Sequence, residues 1–262
     1  MKFIFNLIYT FLRIGIANEL QYRANFFLQL LQSLIALGVG LVGLRVVFNQ
    51  TTELSGWTQP ELLVVMGVFM LMGGLIQAGI QPNMLRLIDE IQRGTLDYAI
   101  TKPADGQVII SVREFRFWRL TDALLGLGVL GYAMFQIQGR VGWQQGFGFL
   151  AALVLGGIMV YCFWLMLASS AFWIIRVGEI ANLFEGIYAA GRWPVGIYPD
   201  WLRIGLTFLV PVAFAVTIPA EALTGRLNWQ TLLFAAGLTL LLIILSRLVW
   251  QRGMRNYSGA SA

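Results

Sequence analysis

Long apolar runs separated by short polar blocks dominate the chain. Runs at about 26–48, 61–81, 110–136, 147–172 and 229–250 reach or exceed the roughly 20 residues a helix needs to cross a bilayer. In the third, the apolar part begins near Arg119 and holds Gly126, Gly128 and Gly131. The second holds Gly67, Gly73, Gly74 and Gly79, small residues of the kind that let helices approach closely in lipid. Ahead of the first run, Phe3, Leu7, Ile8, Phe11 and Leu12 share one side at helical spacing, with Asn6, Arg13 and Glu19 between them. That pattern predicts an interfacial helix over 3–22, or an extension of the first span. The start shows no small-residue cleavage pattern, so it reads as retained structure. The tail after Trp250 needs no fold of its own.

Residues 175–226 admit two arrangements. Hydropathy alone makes Leu202–Ile218 the fifth span. The rival places that span at 176–192, despite Glu179, Asn182 and Glu185, and folds 198–220 as a broken re-entrant hairpin around Pro211 and Pro219. Irregular backbone is allowed at membrane depth where protein covers it. Either arrangement gives an all-α polytopic protein of six spans in a single domain over 1–262.

One polar block near the middle changes the picture. Met84, Leu87, Ile88 and Ile91 recur at i, i+3, i+4 and i+7, with Leu85 beside them, while Arg86, Asp89, Glu90 and Arg93 take the other surface. This predicts an amphipathic helix over 84–93, started at Pro82–Asn83 and ended by a left-handed cap at Gly94. Such an element is either a passive surface linker or a docking element with apolar anchors and charges for specificity.

Composition agrees with the run lengths. The chain is 58% hydrophobic and 12% charged, about half the charged fraction of ordinary soluble domains. Its net charge of +5 does not imply nucleic acid, because the basic residues flank apolar runs instead of forming a stripe. With both termini inside, 15 of the 18 basic residues fall on the inner side in the hydropathy arrangement, leaving Arg45, Arg140 and Arg226 outside. In the re-entrant arrangement Arg192 and Arg203 also move out. Both satisfy the positive-inside rule and put the 84–93 block in the cytoplasm. Asp122, just inside the third span, is either a contact across a helix interface or a residue at headgroup depth.

Little catalytic chemistry is available. There is no histidine, and the single Cys162 lies inside an apolar run, so no disulfide framework exists. No GxxxxGK[ST], HExxH or GxSxG pattern is present, which leaves no route to bind and hydrolyse ATP and no metal site. Work against a gradient would need a partner or an ion.

The stretch RLIDEIQRGTLDYAITKP resembles the ABC-2 type permeases, in their compact bacterial branch. Their pattern of a helix, a basic-Gly-x-Leu-Asp run and a Lys/Arg-Pro pair is matched by Arg93, Gly94, Leu96, Asp97, Lys102 and Pro103. The segment GRWPVGIYPDWLRIGLTFLVPVAFAVTIPAEALTGR is similar to the family's Pro-rich region before the last span. The resemblance implies six spans with a coupling helix between the second and third. It also implies an outer re-entrant segment holding Pro194, Pro199, Trp201, Pro211 and Pro219, with 176–192 as the fifth span.

By the same resemblance, two separately encoded ATP-binding subunits would carry ATP and Mg, and this chain would bind neither. Those subunits would dock on Met84, Leu85, Arg86, Leu87, Asp89, Glu90, Ile91, Arg93 and Gly94. A second permease, identical or homologous, would complete the exporter in the plasma membrane. The scarcity of charge within the spans favours a hydrophobic or amphipathic cargo. Two alternatives stand beside this expectation. An ion-coupled secondary transporter would need mid-membrane acids, for which Glu179 and Glu185 are the candidates. A non-transporting scaffold would need none.

Overall fold

The helix that organises the bundle begins at a hydrogen-bonded corner. Thr58 donates through both its N–H and its Oγ1 to Oε2 of Glu61, 2.8 Å in each case. The carboxylate thus lies in the first turn, where the helix dipole favours it. The computed structural model describes residues 10, 23–97, 101, 105–137, 142–174 and 177–257. In it this helix continues to Gln92. Apart from Thr10, the expected helix over 3–22 lies outside the described residues, as do Lys102 and Pro103.

In chain order the helices are α1 (Arg23–Phe48), α2 (Gln59–Gln92), α3 (Gly106–Val112), α4 (Leu120–Ile137), α5 (Trp143–Ser169), α6 (Val177–Ala189), α7 (Asp200–Leu209), α8 (Ala213–Leu223) and α9 (Trp229–Asn256). Extended pairing among the described residues is a single bridge between Leu54 and Trp57. Among the described residues five helical stretches are long and apolar enough to cross a membrane, and a sixth if the bent pair α7–α8 counts as one. The protein is an all-α polytopic membrane protein.

The last span does not stop at Trp250 as expected from sequence: its helix runs on to Asn256, and Tyr257 holds Leu96. Three further element boundaries differ from the sequence expectations, each for a local reason. First, 84–93 is not a separate helix. It is the end of α2, joined to the apolar part through a π turn at Ile76–Ile80. A proline inside a helix removes one rung and clashes with the carbonyl four residues back. The wider π turn just before Pro82 accommodates that ring, so the helix passes through instead of stopping. Second, the segment entering the third span is not continuous from 110. α3 ends at Val112, an irregular elbow runs over 113–116, and a turn at Phe117–Arg119 leads into α4. Third, α6 has only 13 helical residues, with a tight turn at Ala190–Arg192. α7 and α8 then meet at 78° around Pro211.

The helices have two recognisable ends. Phe147 and Trp229 stack with ring centroids 6.5 Å apart, and Arg226 reaches Glu61 at 2.6 Å. The N-termini of α2, α5 and α9 therefore gather at one end, the Gln59 pole. At the other, the Gln92 pole, Phe172 contacts Trp250 and Tyr257 with centroids 6.0 Å apart in both pairs.

Between the poles the closest pair is α2 with α4. A Cβ added at Gly126 would lie 2.5 Å from the Leu71 nitrogen and 2.7 Å from the Gly67 oxygen, and one at Gly74 would lie 2.5 Å from the Ala123 nitrogen. Backbone meets backbone here, the contact that small residues permit between helices in lipid. α2 is the axis of the molecule: 67% of its spanning window is buried, against 11% for α1. α1 rides on the outside and exposes Phe27, Leu31, Ile35, Val39 and Val42.

This packing separates glycines that look alike in the sequence. Gly126→Val forces the α2–α4 backbones apart and should cost at least the 1–3 kcal/mol typical of overpacking. Gly128→Val should cost much less, since nothing lies within 4 Å of a Cβ there. Thermal unfolding of the two variants in the same detergent gives the comparison; equal losses would contradict the packing account.

Candidate functional site

The chemistry of the Gln92 pole starts from the proline. Pro82 has no N–H, so the carbonyl of Ala78 loses its partner four residues on. The Arg116 N–H donates to that carbonyl at 2.9 Å. One residue beyond the proline, the buried Asn83 side chain completes the joint. Its Nδ2 donates to Glu114 O at 2.7 Å and to Gly79 O at 2.7 Å. Its Oδ1 accepts from Glu114 N–H at 2.9 Å. The elbow leading to α4 is thus hydrogen-bonded to α2 at the helix's own irregularity.

A buried ion pair adds a second tie. Arg113 Nη1 donates to Glu90 Oε1 at 2.9 Å and lies 2.8 Å from Oε2, with only 6% of its side chain exposed. Burial pushes the Arg113 guanidinium below its usual pKa, and the hydrogen bond and charge of Glu90 oppose that shift. Nε and Nη2 of Arg113 have no hydrogen-bond partner among the described residues. The guanidinium therefore depends on Glu90 for compensation.

Further ties reach the other helices. Arg247 of α9 holds Asp105 through Nη1 at 3.0 Å and Nη2 at 2.5 Å, and Gln107 through Nη1 at 2.6 Å. The Arg247 hydrogen bonds keep Asp105 below the usual carboxylate range. Its small contribution to stability is present above that range and fades as pH falls through the lowered value. Gln107 Nε2 donates to Tyr161 Oη of α5 at 3.2 Å, and Ser111 shares a hydrogen bond with the same hydroxyl. Tyr257 Oη accepts from Leu96 N–H at 3.1 Å. The loop region between α2 and α4 is attached to α2, α5 and the end of α9.

The residues singled out from sequence divide by environment. Met84, Leu87, Ile91 and Leu96 are buried in the protein's own core, joined by Ile88, and Leu85 packs against that core half-buried. The apolar face that the spacing offers to a partner is already occupied from within. Arg86, Asp89 and Arg93 are exposed; Arg86 pairs with Glu90 and Arg93 with Asp89, four residues apart. Gly94 has φ +69 and closes the helix as a left-handed residue. Its N–H donates to Ile91 O at 3.2 Å and that of Thr95 to Glu90 O at 2.9 Å. Asp97 is half-buried beyond it.

At the other end, Pro194, Pro211 and Pro219 are buried, whereas Pro199 and Trp201 are exposed. The Prolines and Trp201 form no cluster with the 84–97 residues. Asp122 proves to be an interhelical contact: it accepts from Ser33 Oγ and, at 3.3 Å, from Gln29 Nε2, both on α1. Asn83 was read from the sequence only as part of a helix start and Asp105 only as part of a turn, and the contacts of Arg113 and Arg247 had no local signal. A polar Asn directly after a proline inside an apolar helix is the one local signal that could have drawn attention to the joint.

The described residues form an apolar helical bundle whose second helix, at 34 residues, is longer than one crossing needs and ends in a hydrogen-bonded loop. Among the described residues no group of three or more His, Cys, Asp or Glu could hold a metal ion. A family model described as "ABC-2 family transporter protein" matches residues 34–261, and the chain belongs to that family. No curated protein and no solved structure matches the chain.

Two substitutions test the joint. Asn83→Leu keeps the volume but strands the Glu114 N–H and C=O, and should cost roughly 2–6 kcal/mol, the penalty for two unsatisfied backbone groups. Its unfolding midpoint should fall well below that of Gln92→Leu on the exposed side of the same helix. Glu90→Gln leaves a buried guanidinium uncompensated and should cost about 3–5 kcal/mol, while Glu90→Leu with Arg113→Leu should recover most of the loss. Additive losses in that double-mutant cycle would show that the pair is not coupled.

Proposed function

We propose that this chain is the permease subunit of an ATP-driven exporter, moved by separately encoded ATP-binding subunits that dock at the Gln92 pole. The observation that carries the reading is the joint between α2 and the elbow, in a chain of the ABC-2 family. α2 is roughly 50 Å long at 1.5 Å per residue, against a hydrocarbon core of about 30 Å. Its last turns therefore project past the bilayer. Their exposed side, with Arg86, Asp89 and Arg93, is free for a partner, since such surface pairs add little stability. Pressure there would pass along α2 and, through Asn83 and Arg113, into α4.

In this reading the Gln92 pole is cytoplasmic, by the excess of basic residues on that side, and both termini lie in the cytoplasm. The membrane is the bacterial plasma membrane. α6 makes the fifth crossing and α7–α8 a re-entrant hairpin on the outer side. Chain direction supports this. α5 ends at the Gln92 pole and α9 starts at the Gln59 pole, so one net crossing lies between them. α6 climbs far enough to stack Tyr188 on Phe69 with centroids 5.0 Å apart and to place the Arg192 guanidinium 5.6 Å from that ring. α8 then returns to the Gln59 pole, where Arg226 meets Glu61. Two permeases, identical or homologous, and two ATPases make the complex; ATP and Mg are bound by the ATPases. The sparse charge within the spans suits a hydrophobic or amphipathic cargo.

Affinity purification of the tagged chain from its host in mild detergent should bring down a Walker-motif ATPase. Asp89→Arg with Arg93→Glu, a charge swap that keeps the exposed pair and spares Glu90, should abolish that association while shifting stability by no more than about 0.5 kcal/mol, as for surface changes generally. Recovery of the permease without any Walker-containing chain overturns the proposal.

A further inference from the structure

Between α1, α2 and α6 lies a cavity of about 310 Å³, a volume within the range of small-ligand sites. Its wall is unusually polar for the depth. Gln29, Gln32, Gln77 and Gln81 line it, together with two carboxylates, Asp122 and Glu185, and two guanidiniums, Arg119 and Arg192. The four formal charges cancel. They are not equally engaged, however. Asp122 is held by Ser33 and Gln29, and Glu185 Oε1 accepts from Gln81 Nε2 at 2.7 Å. Neither guanidinium has a carboxylate within ion-pair distance among the described residues; Arg192 rests over the Phe69 ring. Arg119 is half-buried and Arg192 exposed at the rim of the cavity, which leaves both guanidiniums accessible to an anionic group.

Directly above, toward the Gln59 pole, a second cavity of about 170 Å³ shares Ala36, Phe69, Met70 and Arg192 with the first. The rest of its lining (Leu37, Val39, Gly40, Gly43, Leu44, Met66 and Trp193) is apolar except at backbone and at the Trp193 indole N–H. A polar chamber and an apolar chamber are therefore stacked along one helix groove, with a guanidinium at their junction. α1, which forms one wall of both, is the least buried of the spanning helices. The groove is thus closed by a loosely packed helix beside lipid.

We infer that this groove binds a zwitterionic amphiphile, its acyl chain in the apolar chamber and its head group in the polar one. The head's anionic group lies against Arg119 and Arg192. Its ammonium or hydroxyl donors meet Glu185 and the glutamine amides. An uncharged head would make no use of the guanidiniums, and a purely anionic one would sit beside two carboxylates. With the Gln92 pole in the cytoplasm, head and chain stand in the order in which a lipid of the cytoplasmic leaflet stands. The site's role in selecting cargo rests on the permease reading; the binding itself does not.

Native mass spectrometry on the purified chain in nanodiscs tests binding without any ATPase. The discs carry phosphatidylethanolamine, phosphatidylglycerol and diacylglycerol in equal amounts. The wild type should keep phosphatidylethanolamine with about tenfold preference over both competitors, the scale of one charge-assisted contact. Arg192→Gln and Arg119→Gln should each remove most of that preference, while Arg45→Gln, outside both chambers, should not. Gly43→Leu fills the apolar chamber at a position with open space around its Cβ and should lower retention of the lipid without unfolding the protein. Soluble phosphorylethanolamine, which has no chain, should fail to displace it. Equal retention of the three lipids, unchanged retention in the variants, or full displacement by phosphorylethanolamine would each overturn the site. None of these outcomes bears on whether an ATPase copurifies, so the two proposals fail separately.

Discussion

A single missing hydrogen-bond donor shapes the Gln92 pole. Pro82 cannot serve the Ala78 carbonyl, and a helix at the edge of a membrane cannot leave that carbonyl bare at low cost. The structure answers by widening the helix into a π turn and handing the carbonyl to the Arg116 N–H. Asn83 then satisfies both backbone groups of Glu114. Each bond contributes only about 1 kcal/mol net, yet each orphaned group would cost about 1–3 kcal/mol. The arrangement is therefore favoured more by what its loss would expose than by what it gains. Everything C-terminal to the elbow inherits its position from it: α4 starts four residues after Arg116 and immediately enters its backbone-level contact with α2 at Gly74.

The opposite pole is held by different chemistry. Arg226 joins Glu61 and the Gly56 carbonyl, and its guanidinium lies 4.7 Å from the Trp57 ring centroid. That cluster ties the end of α8 to the start of α2. Lower down, α8 rests on Gly156 of α5, where a Cβ would collide with the Phe214 backbone. Protein thus covers one side of the irregular backbone in the bent α7–α8 pair. α1 is the exception to this tight construction. Besides apolar contacts, it is fixed by the Asp122–Ser33–Gln29 cluster and by Phe26 against Trp118 with centroids 4.8 Å apart. The groove beside it exists because α1 is so loosely applied.

Much of the fold was legible because lipid imposes a length on apolar runs and little else competes with that signal. The five long spans and the end of the amphipathic stretch at Gly94 could be read directly. What was hidden depends on information that a linear pattern lacks. Periodicity identified the apolar face of 84–91, but burial in the chain's own core and burial against a partner leave the same spacing. Proline and asparagine normally start a helix; here the preceding π turn lets α2 run through them. α6 fails a hydropathy test because Glu179, Asn182 and Glu185 lie on its exposed side, while Val177, Ala181, Phe184 and Tyr188 face protein. Arg113 and Glu90 are 23 residues apart, and nothing local in either neighbourhood announces the pair.

Burying the apolar face of 84–91 changes how this element could couple to anything outside the bundle. A loosely docked surface helix would yield when pushed, because its apolar face could slide along the membrane or a partner. Here the same face is part of the core, and the element is the last third of a helix whose middle is the most buried segment of the protein. Displacing its exposed edge means either moving α2 as a body or breaking Asn83 and Glu90–Arg113 away from the elbow. The second route strands several buried polar groups at once, at about 1–3 kcal/mol for each neutral group and more for the guanidinium. Body movement of α2, which takes α4 with it through the Gly67–Gly126 contact and shifts it against the lightly held α1, is the softer path. The groove between α1 and α2 is then the place where such movement would be felt first.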